Sequence, residues 1–192
     1  MIRRLALTLG ALALAVPFTL AQTSTWAPDK AHSEVNFTVL HMSLSNVRGH
    51  FGNIGGTVVM NDSDITKSTV NITIDVTSVD TGVAARDNDL KSPNWFDAAQ
   101  FPTATFTSTS ISKTGSGLSI NGNLTLHGVT KPVTLQVEGP KGPVPGMDKK
   151  PHMGFSGTTS IKRTDFGIGK APASIVGEDV SLTFDLDLAK QQ

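Results

Sequence analysis

The chain contains no cysteine. That excludes a disulfide framework, a cysteine nucleophile and a lipidated-cysteine anchor. Stability has to come from an apolar core, and 192 residues are enough to build one. There is no excess of charge of either sign, since 16 basic residues face 16 acidic ones. No basic patch stands out to hold a nucleic-acid backbone, so nucleic acid is not expected as a partner. Aromatic residues make up only 6% of the chain. The apolar run Leu5 to Val16 falls short of the ~20 residues that a membrane-spanning helix needs.

That run has a different reading. Arg3 and Arg4 precede it, Pro17 breaks it, and Thr19 and Ala21 put small residues at −3 and −1 of a cut after Ala21. This is the layout of a secretory signal peptide. The expectation is export, removal of 1–21, and one domain over 22–192 with a slight acidic excess.

What the remainder has in abundance is alternation. Val70, Ile72, Ile74 and Val76 alternate with Asn71, Thr73, Asp75 and Thr77. Val180, Leu182, Phe184, Leu186 and Leu188 alternate with Ser181, Thr183, Asp185 and Asp187. Val35, Phe37 and Val39 behave likewise, as do Val133, Leu135 and Val137, and the pairs Leu118/Ile120 and Leu124/Leu126. Period two gives strands with one apolar and one polar face. A parallel sheet, covered on both sides, would show unbroken apolar runs instead.

Turn chemistry divides the runs. Asn61-Asp62-Ser63-Asp64 and Thr114-Gly115-Ser116-Gly117 are tight links, 139–151 is a longer Pro/Gly/Lys loop, and His127-Gly128 opens a turn before Pro132. Eight strands are expected, near 32–41, 45–60, 67–80, 102–113, 117–127, 130–140, 152–165 and 175–189. Residues 83–91 lack alternation and have good helix formers. They predict a short helix, inserted between the third and fourth strands and followed by a single helical turn near 94–98.

The fold class is therefore all-β and antiparallel. Eight such strands can pack as a sandwich or close into a barrel, and closure removes the exposed edges. An eight-stranded barrel is either filled by its side chains or holds one small ligand. Periodicity does not choose between them, but it makes the enclosed surface apolar. Phe37, Val39, Ile72, Ile74, Phe106, Leu124, Leu135, Phe155 and Phe184 are the expected lining. Arg86, Asp87 and Asp89 form a dense charge group that reads either as helix-end electrostatics with a surface ion pair or as the rim of a mouth, where Arg86, Asp87 and His41 are placed. Trp95 and Phe96, with Phe101 and Pro102, form an apolar cluster in a loop, and a plug over one barrel end satisfies it. Arg163 and Asp165 read as a local pair or as part of the same rim.

Sites for chemistry are scarce. His32, His41, His50, His127 and His152 show no metal-ligand spacing such as HxxxH. They read as hydrogen-bonded or solvated strand-end residues, with no metal expected. No GxSxG occurs, and no Ser or Thr is singled out as a nucleophile.

Several motifs, in order, resemble one family. They are Trp26-Ala27-Pro28-Asp29-Lys30-Ala31-His32-Ser33, Val39-Leu40-His41-Met42, Val47-Arg48-Gly49-His50-Phe51, Val79-Asp80-Thr81-Gly82, and Ala85-Arg86-Asp87. Trp95-Phe96-Asp97, Phe101-Pro102 and Phe106-Thr107-Ser108-Thr109 follow. Last come Gly122 through Val133 and Arg163-Thr164-Asp165-Phe166-Gly167. The chain resembles the YceI-like, polyisoprenoid-binding family of bacterial periplasmic proteins. That resemblance implies an elongated lipocalin-like barrel, a homodimer, and an isoprenoid lipid or isoprenoid quinone inside. For some relatives it implies a cytochrome b561-type membrane partner. It implies a periplasmic carrier without catalytic activity. The residues themselves leave open an enzyme acting on an amphiphile at the mouth, or a filled barrel acting in stress or protein interaction. Two positions depart from the family pattern: Trp26 stands where Tyr is common, and Asp89 where His is common.

Overall fold

The alternating segments form eleven strands joined by antiparallel ladders. The computed structural model describes residues 22–191, so the expected signal peptide, 1–21, lies outside the described residues. The strands are β1 (Thr23–Pro28), β2 (Glu34–His41), β3 (Ser45–Phe51), β4 (Ile54–Asn61), β5 (Thr69–Asp75) and β6 (Val79–Asp80). After helix α1 (Ala84–Lys91) come β7 (Thr103–Lys113), β8 (Leu118–Leu126), β9 (Val129–Pro145), β10 (Pro151–Lys162) and β11 (Val176–Lys190). Around the wall the order is β1-β4-β5-β7-β8-β9-β10-β11, and β11 returns to β1. This is a closed eight-stranded antiparallel barrel. β2, β3 and β6 are the upper halves of three of its strands, stacked on β1, β4 and β5. The lower end carries the turns at 62–68, 114–117 and 146–150. The upper end carries those at 42–44, 127–128 and 163–175, together with the 81–102 segment.

The three divided strands break at one level. β1 yields to β2 across 29–33, β3 to β4 at Gly52 and Asn53, and β5 to β6 through a 3-10 turn at Val76–Ser78. Asn53 has a positive φ of 49°, a conformation that Asn tolerates better than most residues. Two of the breaks are tied together. Asn53 Nδ2 donates to Asp75 Oδ2 at 2.9 Å, and Ser78 Oγ donates to the Gly52 carbonyl at 2.9 Å. The other Asp75 oxygen caps the 3-10 turn, accepting from Thr77 N at 2.9 Å and Thr77 Oγ1 at 2.6 Å. Above this level β5 no longer follows β7, and α1 with residues 92–101 fills the gap. Leu90 and Phe96 pack there against Phe51, Val76, Val79 and Ala104.

The structure corrects several sequence expectations. Residues 23–28 form a strand, although Thr-Ser-Thr shows little alternation. The runs 45–60 and 67–80 are each broken. The 139–151 loop is mostly strand: β9 continues through Pro140 and Pro143 to Pro145, with register shifts against β10. Residues 94–98 form hydrogen-bonded turns rather than a helical turn.

Arg163 does not pair with Asp165. It begins a 3-10 turn at Arg163–Phe166, is only 4% exposed, and sends all five guanidinium hydrogens to backbone carbonyls. Nε donates to Gly177, one terminal nitrogen to Ile168 and Gly169, and the other to Ala171 and Val176, at 2.6–3.0 Å. The Trp95 ring lies 5.8 Å from the guanidinium carbon. One buried cation thus shapes the whole 163–177 loop, and among the described residues no carboxylate pairs with it.

Two measurements test these supports. Arg163→Gln removes most of the donors from five carbonyls. It is expected to cost at least about 3 kcal/mol in a urea titration, with Arg163→Lys failing to restore it because an ammonium has only three hydrogens. The second concerns pH. Hydrogen bonds from Thr77, and then from Asn53, hold the Asp75 carboxyl below its ordinary value of 3.8 against an opposing burial effect. A depressed carboxylate stabilises the fold above 3.8, and that contribution is lost as pH falls through the folded value. The stability gap between wild type and Asp75→Ala is therefore expected to be constant above about pH 5 and to shrink below pH 4.

Candidate functional site

Closure places one face of every strand inside. The ladders set inward residues opposite one another: Val35, Phe184, Gly157, Val137 and Leu118 lie across four adjacent pairings. Ile72, Phe106 and Leu124 form a similar row. These rows do not fill the barrel. An upper cavity of about 380 Å³ and a lower one of about 120 Å³ share Val35, Ile74, Leu124 and Leu182 as a waist.

Glycine explains why there is space. Phe37 faces Gly49 across one ladder, Phe184 faces Gly157 across another, and Phe106 lies against Gly122. A Cβ at any of these glycines would stand 2.3–2.6 Å from the ring's Cζ atom. Each ring therefore lies over a strand with no side chain and stays against the wall. With any larger residue there, the ring would have to turn into the lumen.

The nine residues expected inside all lie on the cavity wall. Ile72, Phe106, Leu135, Phe155 and Phe184 line the lower part, Phe37 and Val39 the upper part, and Ile74 and Leu124 the waist. The lower cavity is apolar apart from Ser68 and Thr159. Ionisable groups line the cavity toward the mouth, where His41, Arg86, Asp89 and Arg163 join the wall. Trp95 and Phe96 also lie there. The Trp95 indole donates to Asp89 Oδ2 at 2.8 Å, and Phe96 packs edge-on against Phe51 at 5.6 Å between ring centroids. Outside the cavity, Leu40, Met42, Leu44 and Val83 are exposed beside the same end, and Ile175 is exposed at its edge.

Arg86 forms no ion pair with its neighbours on α1. Its guanidinium donates to Thr81 Oγ1 at 2.8 Å and to the Thr81 carbonyl at 2.9 Å. Asp87 is not on the cavity wall. Its carboxylate turns outward to accept from the Thr81 amide at 2.9 Å and from the Thr81 hydroxyl, which fixes the entry to α1. His127 is a turn residue with φ 52°, bonded to the Phe166 carbonyl and stacked edge-on with Phe101 at 4.8 Å. Phe101 thus braces the insert from outside the cavity.

Acid–base catalysis would need a His–carboxylate pair inside the cavity. Among the described residues such pairs are His32–Asp29, His152–Asp187 and His152–Asp148, all outside it. Asp89 was noted in the sequence only as a departure from the family pattern and as part of the charge group with Arg86, and the glycine–phenylalanine pairs were not singled out. Asp89 shares one face of α1 with Arg86, whereas the pairs depend on register, which no local pattern reveals. A substitution tests the pairs. Gly122→Ala is expected to destabilise by about 1–3 kcal/mol through overpacking, and Phe106→Leu in the same chain to recover part of the loss. A double-mutant cycle by chemical denaturation reads the coupling.

Fold and cavity together define a hollow antiparallel barrel with an apolar lumen and a polar mouth at one end, the architecture of a binding protein. A YceI-like domain matches residues 26–188, and the chain belongs to that family. It is 41% identical over 164 residues to Protein YceI of Salmonella newport, covering 84% of this chain and 83% of that one. A UPF0312 protein of Vibrio vulnificus is 39% identical over 165 residues, covering 82% and 84%. Among solved structures, BcnA of Burkholderia cenocepacia superposes with a TM-score of 0.71 at 28% identity, covering 83% of this chain and 98% of that one. A polyisoprenoid binding domain from Saccharophagus degradans shares the fold at a TM-score of 0.62 and 17% identity, over 88% of this chain and 100% of that domain. Among the described residues, no helix is long and apolar enough to cross a membrane.

Proposed function

We propose that the protein is a periplasmic, non-enzymatic carrier that holds an isoprenoid-like lipid inside its barrel. The carrying observation is the gradient within the cavity, uncharged and almost wholly apolar below the waist and ionisable at the mouth. It suits an amphiphile whose hydrocarbon tail enters first and whose polar end stays near His41, Arg86 and Asp89. The nine apolar wall residues, with Trp95 and Phe96 as the lid, are the contacts of this reading. Asp87 contributes by holding the helix that carries Arg86.

Energetics favour an occupant. Protein interiors rarely leave voids larger than a water molecule, and a dry apolar void costs about 24 cal/mol per Å³ in engineered cavities. A chain that fills the space offsets that cost and gains about 25 cal/mol per Å² of apolar surface buried. The polyisoprenoid-binding barrel from Saccharophagus degradans supports the ligand class. The signal-peptide reading of 1–21 and family membership support export. The partners of this reading are the lipid, a second copy of the chain and a cytochrome b561-type membrane protein, the last two from the family resemblance alone.

Native mass spectrometry of protein purified from its own periplasm, without added lipid, is the test. A bound apolar lipid is expected. Leu124→Trp, which blocks the waist, is expected to lose it while keeping the far-ultraviolet circular dichroism of the barrel. Repeated absence of lipid from the wild type would overturn the carrier.

A further inference from the structure

Away from the cavity, the outer wall carries a second cluster of chemically able side chains. Asp29 and His32 stand in the connector between β1 and β2, and Asp187 points outward from β11 between Leu186 and Leu188. One ligating atom from each of the three lies within 4.8 Å of the others. His152, at the start of β10, joins them with Nδ1 at 2.6 Å from Asp187 Oδ1, and its Nε2 lies 3.1 Å from Asp148 Oδ1.

Charge makes the arrangement unusual. Asp29, Asp148 and Asp187 form their ion pairs only with His32 and His152 among the described residues, none of them with a lysine or arginine. The Asp29 and Asp187 side chains are only 27% and 34% exposed, so water screens their mutual repulsion less than at an open surface. The backbone beneath is fixed. The Asp29 amide donates to the Asp187 carbonyl at 2.7 Å, and buried Ser33 accepts from the Asp187 amide at 3.1 Å while donating to its carbonyl at 3.2 Å.

We propose that Asp29, His32 and Asp187 bind a divalent transition-metal ion of the zinc type, with His152 orienting Asp187 from behind. One imidazole with two carboxylates favours zinc and its first-row neighbours over magnesium or calcium, which prefer oxygen alone. Zinc–ligand bonds of about 2.0–2.2 Å need the three donor atoms closer together than they now stand. The His32 side chain is 69% exposed and can rotate to close the gap. Asp29 keeps one oxygen for the Ala31 amide, at 2.8 Å, and turns the other toward His32. The Asp148–His152–Asp187 chain supplies the hydrogen bonding that commonly orients a coordinating carboxylate. Remaining coordination positions face water. The ion would fasten the β1–β2 connector to β11 at the barrel's seam. Spacing along the sequence conceals this site because Asp187 lies at the other end of the chain from Asp29 and His32.

The test uses untagged protein stripped with EDTA and titrated with zinc chloride by calorimetry. One zinc per chain is expected, with a rise in thermal midpoint. His32→Ala, whose exposed side chain hydrogen-bonds only Asp29 among the described residues, should weaken binding at least about tenfold and abolish the rise, while His50→Ala keeps both. Cobalt(II) in place of zinc should give a visible absorption band that His32→Ala removes. No saturable zinc binding, or binding that His32→Ala and Asp29→Asn both retain, would overturn the site. These readouts do not depend on the lipid.

Discussion

One edge of β11 serves two partners. It pairs with β2 from Val176 to Asp185 and with β1 from Leu188 to Lys190, while its other edge pairs with β10 along nearly its full length. The barrel closes only because β1 and β2 lie end to end along that edge. Once they are separate segments, β3 and β4, then β5 and β6, have to bend at the same level to stay in register. The tied breaks at Asn53 and Asp75 are where the wall accommodates this. They also steer β6 away from β7, which leaves the opening that α1 and Trp95-Phe96 occupy. The mouth is thus a consequence of how the seam is made.

Arg163 completes the upper end by another means. A charge buried without a counter-ion is normally costly. Here five carbonyl dipoles share it, and an aromatic ring lies alongside. The guanidinium takes the place of regular strand pairing in a loop that has none. Its planar fork fixes five chain positions together, so the rim facing α1 is held by hydrogen bonds rather than by packing alone.

Much of this was legible in the sequence, and the limits have physical reasons. Alternation records which face of a strand is covered, so Phe37, Ile74, Leu124 and Phe184 could be assigned inward without knowing any pairing. The insert was legible from the loss of alternation at 83–91. Breaks inside long strands were not, because one residue such as Asn53 in a left-handed conformation leaves the flanking pattern intact. β9 runs through prolines that read as a loop, since a local pattern does not show where its edge lacks a neighbour. Asp87 looked like a mouth charge and Arg163 like a partner for Asp165 because the sequence gives no view of backbone partners. At the mouth, charge and spacing indicated a polar end, while only geometry separated Arg86 and Asp89 on the cavity wall from Asp87 on the turn.

The three phenylalanines resting on glycines have one more consequence. The bore of the barrel is set by what lies behind each ring, not by the size of the ring itself. A change at Gly49, Gly122 or Gly157 therefore acts like a shutter, narrowing the lumen without adding a residue to its lining. A lineage could retune the girth of its cargo through positions that never touch it. Comparisons confined to cavity-lining side chains would overlook such a change.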